Sequence, residues 1–206
     1  SGWLTGTGIV TVENGSIQSV GSFDYPPGNL SPNPIRTSPI DYTLPPIPDC
    51  SKYTSVTASP DKNSGGTISQ GLYHDITIGT GAILTMNPGV YCVETDFSVG
   101  NSTIQVSGTF NDGVFIYMMN TDDKSTFTIS SDAKVYLRAN RNTSTPLIFP
   151  ALDAVTKEPI GDINYNGLLL YFNPDSTYNS NAVDISGNSE VGGANLYTGS
   201  IIAPSV

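Results

Sequence analysis

Three short apolar runs in the middle of the chain begin in the same way and recur at similar spacing. They are Gly71-Leu72-Tyr73, Gly89-Val90-Tyr91 and Gly113-Val114-Phe115. Their starts are 18 and 24 residues apart, and short alternating segments that end in glycine or asparagine lie between them. An imperfect repeat of about 20 residues, made only of short strands and turns, is typical of a β-solenoid, in which successive coils stack on one another.

The pattern along the rest of the chain is also that of strands. No window favours the 3.6-residue period of a helix over the 2-residue period of a strand. Strands are predicted over 76–78, 82–86, 90–93, 97–99, 104–106, 114–118, 126–129, 134–138, 168–172, 183–185, 195–197 and 200–202. The sequence therefore predicts an all-β fold, a right-handed parallel β-helix, which forms a single domain over residues 1–206.

Residues 1–22 alternate in the manner of strands, and we expect them to cap one end of the stack. The open ends of a solenoid expose unpaired strand edges. Hydrophobic residues at the start (Trp3 and Leu4) and at the finish (Ile201 and Ile202) are therefore the candidate positions for end-to-end assembly. Stacking on a carbohydrate is the alternative role of Trp3.

Residues 23–65 are rich in proline, which removes ladder donors and imposes extended backbone. We therefore expect this segment to run as a strap along the outside of the solenoid. Residues 66–206 are then the coils, with an excursion at 141–162, where charged residues and prolines interrupt the pattern.

The two cysteines, Cys50 and Cys92, lie in the strap and in a coil. In an exported chain an even number of cysteines suggests a disulfide, which would pin the strap and contribute about 3–4 kcal/mol. Two buried free thiols are the alternative. A metal site is not expected, because the single histidine, His74, has no C-x-x-C partner. No cofactor is expected either.

The charge of the chain limits its partners. The net charge is −10, and the 8 basic residues nowhere cluster. Binding to nucleic acid or to anionic lipid needs a basic face, so neither partner is expected. Only 13% of the residues are charged, which is about half the usual share. No segment resembles a signal peptide or a membrane span, so an exported form would have its targeting segment outside this chain.

Catalysis is a weaker interpretation of the pattern. Glycoside hydrolysis needs two carboxylates about 5–10 Å apart. The acidic candidates are Asp75, Glu94, Asp96, Asp112, Asp122, Asp123 and Asp132, and most of them lie at turns, where aspartate is expected for backbone reasons. A role for His74 as the base of a nucleophilic triad is not expected, because the sequence contains no Gly-x-Ser-x-Gly nucleophile elbow. Asn120 with Asp122-Asp123 could offer oxygen ligands to Ca²⁺, although the spacing of a regular calcium loop is missing.

Two further motifs concern the surface. Asn14, Asn101 and Asn142 each begin a glycosylation sequon, as does Asn29, which a following proline disfavours. Thr126-Phe127-Thr128 suggests ice binding as an alternative function. Ice-binding solenoids use a flat ladder of threonines, and one Thr-x-Thr is not a ladder. Tyrosines in apolar runs are expected in the core, and a sugar-binding strip is the alternative if they face outward.

Four fragments in a set order carry a family resemblance. They are Pro-Pro-x-Pro-Asp-Cys up to Cys50, Pro-Gly-Val-Tyr-Cys up to Cys92, Gly-Leu-Leu-Leu-Tyr-Phe up to Phe172, and Ile-Ser-Gly-Asn from Ile185. In this order they resemble the extracellular β-helical region of TadG-like proteins, which are associated with bacterial tight-adherence pili. The resemblance covers most of residues 1–206. It implies a structural protein of the cell envelope, and it supplies no catalytic residues.

Together these observations predict a non-catalytic, extracellular structural module: a spacer, an adhesin-like module or a filament subunit of the bacterial cell surface. The expected partners are further copies, joined end to end, or other pilus components. The first alternative is a β-helix that binds or cleaves polysaccharide, and the second is an ice-binding solenoid.

Overall fold

The computed structural model describes residues 44–121, 125–130, 132–174 and 197–202 with their side chains, and it describes the strand backbone alone within 1–43, at 183–185 and at Leu196. The contacts divide the chain into two compact units, residues 1–44 with 204–206 and residues 45–203. The sequence predicts a single domain, so this division differs from that expectation.

The unit 45–203 contains three parallel sheets. The long sheet has six strands, in spatial order Val56–Thr57, Gly71–Tyr73, Gly89–Val93, Val114–Met118, Leu168–Phe172 and Ser200–Ile202. The five-stranded sheet contains Gly65–Ile68, Ile83–Met86, Thr103–Val106, Lys134–Arg138 and Leu196–Thr198. The four-stranded sheet contains Ile76–Ile78, Phe97–Val99, Phe127–Ile129 and Val183–Ile185. The predicted all-β class with parallel sheets is thus confirmed.

A small antiparallel sheet, called here the hairpin sheet, interrupts this pattern. Its strands are Ile47–Pro48, Ile148–Leu152 and Pro159–Asn164. The last two form a β-hairpin, which overlaps the excursion that the sequence predicts at 141–162 and ends two residues beyond it, at Asn164. A short 3₁₀ helix, Cys50–Lys52, follows the first strand. None of the described segments forms a helix of the length and apolarity that a membrane crossing requires.

Three pairs of parallel two-residue strands are described in the unit that includes residues 1–44. Leu4–Thr5 pairs with Phe23–Asp24, Val10–Thr11 with Leu30–Ser31, and Gln18–Ser19 with Ile35–Arg36. The second strand of every pair lies within 23–65, where the sequence predicts an irregular strap. These strands are short enough to lie between the prolines, and proline removes a ladder donor only at its own position.

The chain visits the three parallel sheets in a constant order. From Gly71 onward each pass supplies one strand to the long sheet, then one to the four-stranded sheet, then one to the five-stranded sheet. The hairpin is inserted after the third pass and the order then resumes at Leu168. Each strand therefore pairs in parallel with its counterpart from the neighbouring pass.

In the long sheet, the glycines that begin the three repeated motifs do not pair with one another. Gly71 pairs with Tyr91, two residues beyond Gly89, and Gly89 itself pairs with Val114. Side chains alternate with a period of two along a strand, so a shift of two keeps Tyr73 and Tyr91 on the same face. Both lie in the core, and their ring centroids are 5.9 Å apart. The alternation of buried side chains, rather than the glycine at the turn, determines the register.

Columns of large side chains fill the space inside the sheets. Ile76, Phe97 and Phe127 are paired in register and almost completely buried. The rings of Phe97 and Phe127 stack with centroids 4.8 Å apart, and Phe172 from the long sheet meets Phe127 edge-on at 6.0 Å. Stacked aromatic pairs of this kind add about 0.5–1.5 kcal/mol to the burial of their area.

Candidate functional site

Three inner strands of the long sheet, Gly89–Val93, Val114–Met118 and Leu168–Phe172, are buried on both faces. Along Gly89–Val93 and Val114–Met118 every residue is buried, yet only alternate side chains belong to the core cluster. Val90, Cys92, Phe115 and Tyr117 therefore point to the opposite face. We call this the outer face of the long sheet. A face of this kind must be covered by another layer, because it is apolar and buried.

Residues 45–53, which we call the strap, lie on that face. Tyr171 donates a hydrogen bond to the Pro45 carbonyl oxygen at 3.0 Å, and Tyr53 donates one to the Val90 carbonyl oxygen at 2.7 Å. Burial raises the pKa of Tyr53 above its ordinary value of 10. The strap thus crosses the strands of the long sheet. The sequence predicts a strap over the whole of 23–65, and the structure shows these contacts for residues 45–53.

A disulfide between Cys50 and Cys92 joins the strap to the long sheet. The Cα atoms are 6.1 Å apart, and both residues are buried. The predicted pairing is confirmed, and the alternative of two free thiols is wrong. Disulfides persist in oxidising compartments, so this one agrees with an extracellular location.

The hairpin sheet completes the cover. Pro48 pairs with Ala151, and the backbone N–H of Asp49 donates to the Pro150 carbonyl oxygen at 2.8 Å. Tyr165, which follows the hairpin, stacks on Phe115 with ring centroids 4.7 Å apart. The strap and the hairpin therefore form one layer over the aromatic outer face.

Asp49 caps the 3₁₀ helix beside the disulfide. The residue is buried, and its Oδ1 accepts hydrogen bonds from the Ser51 hydroxyl at 2.5 Å and from the Ser51 backbone N–H at 3.3 Å. Lys52 Nζ lies 3.3 Å from Oδ2. The Ser51 hydroxyl, aided by Lys52, holds the pKa of Asp49 below its ordinary value of 3.8.

Replacing Asp49 with asparagine is expected to lower the free energy of unfolding at pH 7 by about 1 kcal/mol, because hydrogen bonds to a charged acceptor are the stronger ones. The folded pKa is depressed, so the carboxylate stabilises the fold above pH 3.8, and this stability is lost as pH falls through the folded pKa. Urea unfolding of both proteins from pH 7 to pH 2 would show the difference shrinking only in acid. A difference that is constant with pH would contradict this account.

An open groove of about 380 Å³ lies where the strap begins. Pro45 and Pro46 line it on one side, and Ser200 and Ile202 of the last strand of the long sheet line it on another. The remaining lining residues are Ile163, Asn164, Tyr165, Asn166, Gly167 and Leu168. No lining residue is charged, and the volume lies within the range of small-ligand sites.

Three of the acidic candidates, Asp75, Asp96 and Asp112, accept hydrogen bonds from neighbouring hydroxyl or backbone groups. Asp96 accepts from the Thr126 backbone and hydroxyl, each at 2.9 Å, and Asp112 accepts from Thr109. Asp75 accepts from the Ser59 hydroxyl at 2.6 Å.

The remaining polar candidates lie at the surface or outside the described residues. His74 Nδ1 lies 3.1 Å from Glu94 Oε2, and the histidine is exposed. The proposed calcium ligands are Asn120, Asp122 and Asp123. Of these, Asp122 and Asp123 lie outside the described residues. Within the described part of the chain no group of three or more His, Cys, Asp or Glu is placed to hold a metal ion.

The surface motifs occupy different environments. Asn101 is exposed, whereas the side chain of Asn142 is used by the protein: Nδ2 donates to Asp112 at 2.9 Å and Oδ1 accepts from two backbone N–H groups. Asn14 lies outside the described residues. Thr128 pairs in register with Ser98, so the outward column at this point is not a ladder of threonine alone.

Of the four residues predicted to take part in end-to-end assembly, only Ile201 and Ile202 have described side chains. Ile201 is 43% exposed in the final strand of the long sheet, and Ile202 is partly exposed beside the groove. Leu4 lies in a two-residue strand whose side chains are not described, and Trp3 lies outside the described residues. At the other edge of the long sheet Val56–Thr57 is only two residues long, and such short edge strands discourage edge pairing.

Sequence reasoning missed the groove and the pairing of the strap with the hairpin. Both depend on residues that are distant in sequence, such as Pro45 and Tyr171, and no local pattern could have indicated them. No family model, no curated protein and no solved structure matches the chain.

Proposed function

We propose that this chain is a non-catalytic structural module of the bacterial cell surface, and that residues 45–203 wind as a right-handed parallel β-helix. The observation that carries the proposal is the constant order in which successive passes supply strands to three parallel sheets. Stacked coils bury a continuous column of side chains, and neighbouring coils share a continuous backbone ladder. A module of this kind resists proteolysis and shear.

The environment is proposed to be extracellular. The disulfide supports this, because such bonds are rare in reducing compartments. The low share of charged residues and the resemblance to TadG-like proteins point the same way. The chain would serve as a spacer, an adhesin-like module or a filament subunit, in contact with further copies or with other pilus components.

Self-association is the testable part of this role. We expect the purified chain to form larger species as its concentration rises, and Ile201→Lys to prevent this, because the charge would interrupt an exposed apolar edge. Val155→Lys is the matched control, since Val155 is 77% exposed but lies at the tip of the hairpin. Analytical ultracentrifugation and electron microscopy measure the result. A chain that stays monodisperse at every concentration would argue against a filament subunit.

The groove favours a second candidate function, the binding of a neutral saccharide. Its apolar and ring-bearing residues, Pro45, Pro46 and Tyr165, lie beside the polar side chains of Asn164 and Ser200. The lining includes no carboxylate pair, so the groove favours binding over cleavage. A glycan array tests it, with Ser200→Trp as a variant that fills the groove. Absence of any bound glycan would remove this candidate.

A further inference from the structure

Four segments of the chain match the acceptor sequon for an N-linked glycan, and they differ in their third residue. The sequons that begin at Asn14, Asn29 and Asn142 end in serine, whereas the sequon at Asn101 ends in a threonine, Thr103. The β-branched side chain of threonine is restricted at χ1, so its hydroxyl loses less rotamer freedom than that of serine when an enzyme binds it. The sequence therefore favours Asn101 among the four acceptors.

The structure separates the two sequons whose side chains it describes. Asn101 is exposed, and its side chain makes no hydrogen bond within the described part of the chain. Asn142 is half-buried, and its side chain donates to Asp112 and accepts from the backbone N–H groups of Ser144 and Thr145. A glycan on Nδ2 of Asn142 would displace this network, whereas a glycan on Nδ2 of Asn101 would displace no protein contact.

Asn101 lies at the corner between the four-stranded sheet and the five-stranded sheet. The strand Phe97–Val99 ends before it, and the strand Thr103–Val106 begins after it. The carbonyl oxygen of Asn101 accepts a hydrogen bond from the Gly81 backbone N–H at 2.7 Å, which fixes the backbone of the corner. Ile83, which is 54% exposed, pairs with the first residue of the second strand. A glycan on Asn101 would therefore project into solvent beside an exposed apolar side chain.

The sequon at this corner is not free to bind an enzyme after the chain has folded. Ser102 is buried, and Thr103 pairs with Ile83 on one side and with Lys134 on the other. An enzyme that must bind the Asn101 amide and the Thr103 hydroxyl together therefore acts before this corner forms. The fold then has only to accommodate the attached glycan, and the exposure of Asn101 leaves room for it.

We propose that Asn101 carries an N-linked glycan on the exported chain. The donor is a glycan that is joined through a diphosphate to a polyprenol lipid. Asn101 Nδ2 forms a bond to the anomeric carbon of the first sugar, and the bond from that carbon to the diphosphate oxygen breaks. The lipid diphosphate leaves with the bonding electron pair, and one Nδ2 proton passes to solvent.

The glycan would add a bulky hydrophilic group next to Ile83 on a chain in which only 13% of the residues are charged. It would therefore cover an apolar side chain and increase the solubility of the surface around it. The inference rests on the proposed extracellular location.

Mass spectrometry of the protein isolated from the surface of its own cells tests the inference. Cleavage after lysine and arginine releases residues 63–124, in which Asn101 begins the only sequon, and separates them from Asn142. We expect peptide 63–124 to carry a glycan mass that fragmentation places on Asn101, and the peptide that contains Asn142 to be unmodified. Recovery of peptide 63–124 only in its unmodified form, or a glycan on Asn142 instead, would overturn the inference.

Variants expressed in the same cells identify the acceptor. Asn101→Gln removes the acceptor amide, Thr103→Val removes the hydroxyl of the sequon, and each is expected to abolish the glycan. Asn142→Gln is the matched control and should retain the glycan on peptide 63–124. A glycan that persists on this peptide in Asn101→Gln would contradict the assignment. Because the Asn101 side chain makes no hydrogen bond within the described residues, Asn101→Gln should keep the wild-type circular dichroism.

Cell fractionation distinguishes failure of this inference from failure of the proposed location. A chain that is recovered at the cell surface with Asn101 unmodified would count against the glycan alone. An unmodified chain that is recovered from inside the cell would count against both the glycan and the extracellular location.

Discussion

Replacing Phe97 with alanine is expected to lower the free energy of unfolding by about 3–5 kcal/mol, the usual cost of deleting a buried aromatic side chain. Phe97 is completely buried, and its ring stacks on Phe127 at 4.8 Å. The neighbouring side chains belong to strands that are held in place by pairing with adjacent strands, so the cavity cannot collapse fully. Urea unfolding followed by circular dichroism measures the loss as a shift in midpoint.

Phe110 provides the matched control for this substitution. It is 67% exposed, so Phe110→Ala removes the same side chain without opening a cavity. We expect its effect to stay within about 0.5 kcal/mol. Equal losses for the two variants would mean that the four-stranded sheet does not enclose a packed core.

Removing the disulfide is expected to have an effect of similar size. Replacing both Cys50 and Cys92 with alanine should cost about 4 kcal/mol in the chain-entropy model, because the cross-link closes a loop with a sequence separation of 42. Alanine is chosen because Cys92 is completely buried and a serine hydroxyl there would lack solvent. The slope of the urea transition should also rise, since the unfolded chain becomes more extended.

The single variant Cys50→Ala separates the cross-link from the packing of Cys92. If the cross-link is responsible, this variant loses nearly as much stability as the double variant, and the addition of a reductant changes neither of them further. An unchanged midpoint in the double variant would show that the strap is held by its hydrogen bonds and its pairing with the hairpin alone.

The strands could be predicted closely from the sequence where one face or both faces are buried. The bounds predicted for 76–78, 97–99, 114–118 and 134–138 agree with the structure. Alternation of apolar and polar side chains is a local property, and a buried sheet imposes it directly on the sequence. The all-β class and the parallel repeat followed from this pattern.

The proline-rich segment could be interpreted only in part. A strap pinned by Cys50 was predicted over 23–65, and the structure shows the strap over 45–53, with short paired strands between 23 and 36. Proline content indicates where regular pairing is interrupted, but two-residue strands can lie between prolines. Local composition therefore does not determine where such a segment begins to pack.

By itself the sequence determined which residues alternate, where turns interrupt them and that two cysteines were available to bond. Only the tertiary structure decided the register of the passes, the cover of the outer face by the strap and hairpin, and the groove beside Pro45 and Ile202. The physical reason is the difference in sequence separation between the interacting residues. Burial periodicity acts between nearby residues, whereas register and cover depend on contacts such as Tyr171 with Pro45, whose free energy appears only after the intervening strands have paired.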